Sequence, residues 1–140
     1  MLAMHMANEL LTPMVAWAFI VVAAAVLVYS SWRTGRTFDP AKVPLMGVMG
    51  AFVFAAQMIN FPILPGTSGH FSGGVLLAIL LGPHAATLVM ASILIVQCLI
   101  FQDGGLLALG ANIFNMGVLP CYLGYALFAL IAGARPGARP

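Results

Sequence analysis

Three histidines, His5, His70 and His84, are the side chains in this sequence best suited to holding a transition-metal cation, because a neutral imidazole is among the commonest ligands for one. His70 closes the segment 60–70, NFPILPGTSGH, whose two prolines and two glycines exclude a regular helix. Position alone leaves two roles open for it: a ligand, or a loop histidine bonded to a neighbouring carbonyl. His5 has a special option, because a histidine at the second position of a chain can chelate a cation with its imidazole, its amide nitrogen and the terminal amine. As numbered, His5 is fifth. A chain starting at Met4 would open Met-His and regain that chelate; otherwise His5 suits an ordinary interfacial role as well as it suits a ligand. A fourth nitrogen from His70 would complete a set suited to the tetragonal geometry of Ni(II) or Cu(II). Around His70, the polar side chains of Asn60, Thr67 and Ser68 either orient the imidazole or satisfy the loop backbone. Asn112 and Asn115 are three apart and share a helix face; Asn112 is expected to line a path and Asn115 to bind helix to helix. His84 follows Gly82-Pro83 and reads as a residue at a helix start.

The elements that position these groups must lie in lipid. Of 140 residues, 63% are hydrophobic and 6% charged, against about 25% charged in soluble domains. Three acids and five bases cannot cover a soluble surface, and the apolar residues come in long blocks. The expected fold is an all-α polytopic membrane bundle of about five helical segments in a single domain, 1–140. A leader, 1–12, precedes helices at about 13–32, 43–59, 71–81, 84–101 and 106–132, and a tail, 133–140, follows. Thr12 and Pro13 suit a helix start. The third segment is short, about 17 Å as a helix, and does not cross alone. Gly47 and Gly50 suit close helix approach, while the punctuation inside the fifth segment predicts a tilt or kink. Gln57 and Gln97 are expected to bond helix to helix. Cys98 and Cys121 fall inside apolar blocks and read as buried hydrophobes. The start is not expected to be a signal peptide, since Glu9 stands where a basic residue belongs.

All five basic residues fall in two places, Arg33, Arg36 and Lys42, and Arg135 and Arg139. Five crossings put both on one side, which the positive-inside rule makes cytoplasmic. The N-terminus, the 60–70 loop and the 102–105 loop then share the outer face of the cell (inner) membrane. Irregular backbone at membrane depth is tolerated where it lines a cavity or is buried in protein. A net charge of +2, with no basic run interleaved with aromatics, excludes a nucleic-acid partner.

At Met4–Pro13 (MHMANELLTP), Gly66–His70 (GTSGH) and Leu81–Met116 the chain resembles the cobalt/nickel substrate-capture membrane component of energy-coupling-factor transporters, the CbiM/NikM family. The last stretch carries Leu-Gly-Pro and then DGGLLALGANIFNM at 103–116. The resemblance covers nearly the whole chain. It implies an uptake module for Co2+ or Ni2+ that is not an enzyme and needs no other cofactor. It implies metal ligands at Met4, His5 and His70, through the terminal amine, the amide nitrogen and imidazole of the second residue, and the loop imidazole. The partners it implies are an energy-coupling transmembrane subunit, two ATPase subunits and often a small auxiliary membrane protein. Family members usually continue for one or two further helices. Binding is expected to weaken in acid, because the nitrogen ligands must be deprotonated.

Two other functions fit parts of the sequence. Gly66-Thr-Ser-Gly69 fits the Gly-x-Ser-Gly pattern of rhomboid intramembrane proteases, with Ser68 as nucleophile. That chemistry needs a histidine base on another helix, whereas His70 is on the same loop and His84 is expected at the opposite face. A non-catalytic membrane assembly subunit is the second alternative, and it would retain no metal.

Overall fold

The computed structural model describes residues 6–64 and 67–133. It is a polytopic helical membrane protein with five helical segments: α1 (Pro13–Thr37), α2 (Val43–Gln57), α3 (Gly74–Leu81), α4 (Pro83–Ile100) and α5 (Leu109–Ile131). Four stretches, Pro13–Thr37, Pro40–Gln57, Pro83–Ile100 and Leu109–Ile131, are long and apolar enough to cross a membrane. With eight residues α3 is the short one, about 12 Å at 1.5 Å per residue.

Several boundaries differ from expectation, each for a local reason. Helix α1 continues past Trp32 to Thr37. No proline intervenes there until Pro40 and the single Gly35 is carried within the helix, while Arg36 stacks 4.3 Å above the Trp32 ring and the Thr37 hydroxyl donates back to the Arg33 carbonyl at 2.8 Å. Arg33 and Arg36 are therefore helical. The Gly/Pro-rich loop is a two-stranded antiparallel hairpin, β1 (Asn60–Leu64) and β2 (Thr67–His70), with Asn60 opposite His70. Its strands delay α3 to Gly74, after Gly73 at φ 74°. Helix α5 starts at Leu109 rather than 106: residues 106–108 form a turn closed by Leu109 N–H to the Leu106 carbonyl at 3.3 Å, with the Leu107 and Ala108 N–H groups turned to Asn8. The helix then widens into π-helical turns at Ile113–Val118 and Pro120–Gly124. Proline at 120 has no N–H to give and clashes with the carbonyl four residues back, which a wider turn relieves.

The core forms where α2, α3, α4 and α5 meet, around Val53, Leu77, Ala86 and Met90, all 0% exposed. A second cluster, with Ala23, Leu94 and Ile113, joins α1 to α4 and α5. Small residues set the spacing there: a Cβ on Gly110 would lie 2.5 Å from the Ile20 backbone nitrogen. On α2, Gly50 does allow close approach, with Val89 Cγ1 3.1 Å from a Cβ built on it, but Gly47 has nothing of the described chain within 4 Å. Gly47 instead opens onto the cleft between α2 and α4, which it lines with Gly50, Val89 and Ile93. Both cysteines are buried and free.

Candidate metal centre

One end of the bundle gathers the hairpin, the 101–108 loop and residues 6–12. Two buried glutamines tie the hairpin down. Gln97 on α4 donates from Nε2 to Gln57 Oε1 on α2 at 3.1 Å, and Gln57 donates from Nε2 to the Ser72 carbonyl at 2.8 Å. Both side chains are 0% exposed, a setting in which an amide must find a partner within the protein. Ser72 is two residues past His70, so this relay fixes the leg of the loop that carries the imidazole.

His70 itself is half-buried at the end of β2. It lines a cleft of about 390 Å³ with Phe52, Ala56, Ile59, Phe61 and Phe71. Its Nδ1 lies 3.2 Å from the Phe71 carbonyl. In the tautomer that donates from Nδ1, the ring presents its lone pair at Nε2, and a backbone carbonyl fixing the tautomer is a common arrangement behind a metal-binding imidazole. The carbonyl contact and a ligand role are thus compatible, although they stood as alternatives in the sequence. The side chains of Asn60, Thr67 and Ser68 lie outside the description, as do Met4 and His5 altogether. Among the described residues no three of His, Cys, Asp and Glu come together in a way that could hold a metal ion.

The leader reaches this end through Met6 and Asn8. Met6 N–H donates to Asn112 Oδ1 at 3.0 Å, and Asn112 Nδ2 donates back to the Met6 carbonyl at 3.3 Å. The same carbonyl accepts the Gly105 N–H at 3.0 Å. Asn8 Oδ1 accepts from the backbone of Leu107 at 2.9 Å and of Ala108 at 3.3 Å. These N–H groups lie in the turn just before α5, where no helical carbonyl is available to them. A Cβ on Gly105 would overlap the Asn8 carboxamide. Asn112 therefore grips the leader, a contact that spacing within α5 could not reveal because it spans 106 residues. The hairpin and the leader are also linked to each other. The Gln97 carbonyl accepts the Asp103 N–H at 3.0 Å, and Gly105 in the same loop reaches Met6.

His84 stands apart from all this. It is the second residue of α4, at the end of that helix opposite Gln97. Its Nδ1 is 2.8 Å from the Tyr122 hydroxyl, which is 2.8 Å from the Ser30 hydroxyl. Tyr29 packs edge-on against its ring at 5.4 Å. This polar chain across α1, α4 and α5 went unread in the sequence, where Tyr122 and Ser30 gave no signal beyond lying in apolar blocks.

Residues 5–139 match the model of the cobalt uptake substrate-specific transmembrane region, CbiM. A relative in Archaeoglobus fulgidus that bears the name NikMN, for a fused nickel transport protein, is 45% identical over 128 residues, 91% of this chain and 42% of its own length. The cobalt transport protein CbiM 1 of Pelobacter propionicus is 34% identical over 134 residues, 94% of this chain and 59% of its own. A truncated transition metal transporter known from its crystal structure superposes with a TM-score of 0.86 at 38% identity, over 93% of this chain and 61% of that one. The chain thus spans about half the length of the relatives it matches.

Proposed function

Because the chain belongs to the CbiM family of cobalt-uptake transmembrane regions, we propose that it is the substrate-capture membrane component of a Co2+ or Ni2+ uptake transporter. The observation that carries this reading is the meeting of the leader and the His70 hairpin at one end of the bundle, joined through Met6, Gly105, Asp103, Gln97, Gln57 and Ser72. In a chain that opens at Met4, the amine of Met4, the amide nitrogen and imidazole of His5, and the imidazole of His70 supply four nitrogen donors. That set suits Ni(II) and is open to Co(II). Neutral carboxamides hold the surrounding backbone and put no competing charge beside the cation. Asn60, Thr67 and Ser68 orient His70 or satisfy the loop backbone. ATP hydrolysis belongs to two separate subunits, reached through an energy-coupling transmembrane partner and often a small auxiliary membrane protein. No other cofactor is needed.

Arg33, Arg36 and Lys42 at the other end support a cytoplasmic placement of that end, with the leader and the hairpin outside the cell membrane. The test is a Ni(II) titration of the detergent-purified protein. His70→Ala abolishes binding and His84→Ala leaves it intact; equal loss in both, or in neither, refutes the reading. A Ser68→Ala variant that keeps metal uptake dismisses the protease reading, in which Ser68 is the nucleophile.

A further inference from the structure

The end of the bundle opposite the hairpin opens into two clefts that metal capture leaves without a role. The first, of about 520 Å³, lies between the end of α1 and the turn that joins α3 to α4. Arg36, Lys42 and Asp39 give it charge, while Phe38 and Leu81 wall it with apolar surface. Base outnumbers acid there, and Asp39 already spends Oδ1 on the Ala41 N–H at 3.0 Å. Arg36 sets the face of its guanidinium over Trp32, 4.3 Å from the ring centre, which leaves its N–H edge for an acceptor. Beside it, a recess of about 120 Å³ shares Phe38, Leu81 and Gly82 with the cleft and is lined by Thr34. The Thr34 hydroxyl is buried and has no hydrogen-bond partner among the described residues. The second cleft begins at Val43, the residue after Lys42, and follows the groove between α2 and α4. It holds about 430 Å³ and is walled by Met46, Gly47, Gly50, Phe54, Val89 and Ile93. A Cβ on Gly47 would meet nothing of the described chain within 4 Å. The hydroxyl of Ser92 in this groove is already turned to the Leu88 carbonyl at 2.9 Å, so the walls offer no free polar group.

A basic mouth that leads into an apolar groove along a membrane helix has the polarity pattern of an amphiphile. We propose that the two clefts together bind one anionic phospholipid, with its headgroup phosphate at Arg36 and Lys42 and one acyl chain in the groove between α2 and α4. Arginine meets a phosphate with its planar fork and lysine meets it as a point charge. The depth suits a headgroup, because Tyr29 and Trp32, with ring centres 6.2 Å apart, stand one to two turns before Arg36 and are the side chains that settle at a membrane–water interface. Clustered basic side chains at that level attract anionic headgroups. A soluble phosphate would use the mouth and leave the groove empty, whereas a partner helix would use the groove and leave the bases unmatched. The lipid uses both. The site lies at the other end of the bundle from His70 and is independent of the capture reading.

The experiment adds phosphatidylglycerol or phosphatidylcholine with identical acyl chains to the full chain in detergent and counts the lipids retained by native mass spectrometry. A single phosphatidylglycerol should stay bound, about tenfold more tightly than phosphatidylcholine, since each basic side chain beside an anionic headgroup contributes a factor of about five and Asp39 offsets part of it. The double variant Arg36→Gln, Lys42→Gln should bind the two lipids equally. Gly47→Leu fills the groove while every charge stays in place, and it should release the lipid. Inorganic phosphate in millimolar excess should not displace it. A melting curve shows that each variant is folded. Equal retention of the two lipids by the wild-type chain, unchanged retention by folded Gly47→Leu, or displacement by inorganic phosphate overturns the proposal. Should Gly47→Leu fail to fold, the double variant at the exposed mouth carries the test, and an undiminished preference for phosphatidylglycerol in it overturns the site.

Discussion

Replacing Gly110 by alanine puts a methyl group where α1 and α5 cross. The new Cβ would lie 2.5 Å from the Ile20 nitrogen, 2.6 Å from its Cα and 2.7 Å from the Phe19 carbonyl carbon. Ordinary contacts between such atoms are about 3.5–4.0 Å, and all three are backbone atoms that no rotamer change can move. The helices must separate by roughly an ångström, and overpacking of this kind costs about 1–3 kcal/mol. Against it stands the helix-propensity advantage of alanine over glycine, at most about 1 kcal/mol. Gly47→Ala is the control, since nothing of the described chain lies within 4 Å of its Cβ; it keeps the propensity gain of about 0.5–1 kcal/mol and meets no obstacle. The propensity gain is common to both, so the two variants should differ by the overpacking cost alone, about 1–3 kcal/mol, with Gly110→Ala the less stable. Reversible unfolding in mixed detergent micelles, followed by circular dichroism, measures this. A Gly110→Ala protein as stable as Gly47→Ala would show that α1 and α5 do not cross at this point, and the placement of the leader beside α5 would fall with it.

Other expectations are more local. Gln57→Ala leaves the Gln97 amide and the Ser72 carbonyl unpaired in a buried site, which costs about 1–3 kcal/mol in the same unfolding assay; because Ser72 anchors the leg carrying His70, it also lowers Ni(II) affinity, and a drop in stability alone would argue that the relay does not hold the ligand. His84→Phe keeps a ring for Tyr29 and removes the bond to Tyr122, so stability falls by about 1 kcal/mol while metal binding stays at wild type; a loss of binding would mean the two ends of the bundle are coupled. Cys98 and Cys121 are buried, so neither should react with a maleimide in folded protein, and both should react after denaturation; labelling of the native state would contradict the packing of α4 and α5.

Much of the helical plan was legible because lipid imposes it. Apolar blocks of about 20 residues have no other stable fate, and Pro13 and Pro83 mark two helix starts by the fixed φ of proline. That Gln57 and Gln97 bond between helices was also readable, since amides in apolar helices seek polar partners, but their pairing with each other was not. Less was readable where contacts are long-range. Pattern alone identified the 60–70 segment as irregular but not as a hairpin, because Pro62 and Pro65 argue against strands. Spacing placed Asn112 on a helix face without saying that its partner is Met6. The π-helical turns near Pro120 have no periodic signature, and the Ser30–Tyr122–His84 chain depends on three helices meeting at one depth. Candidate ligands were legible as residue types, and their grouping came from parity of crossings.

The central claim is that a divalent metal is captured where the leader meets the hairpin. Elemental analysis of the purified protein, with its first residue established by intact mass, tests this most directly. The account predicts Ni or Co in stoichiometric amount on chains that open at Met4, falling to background in His70→Ala and unchanged in His84→Ala. Chains that open Met-His and carry no metal after exposure to Ni(II) or Co(II) would contradict it.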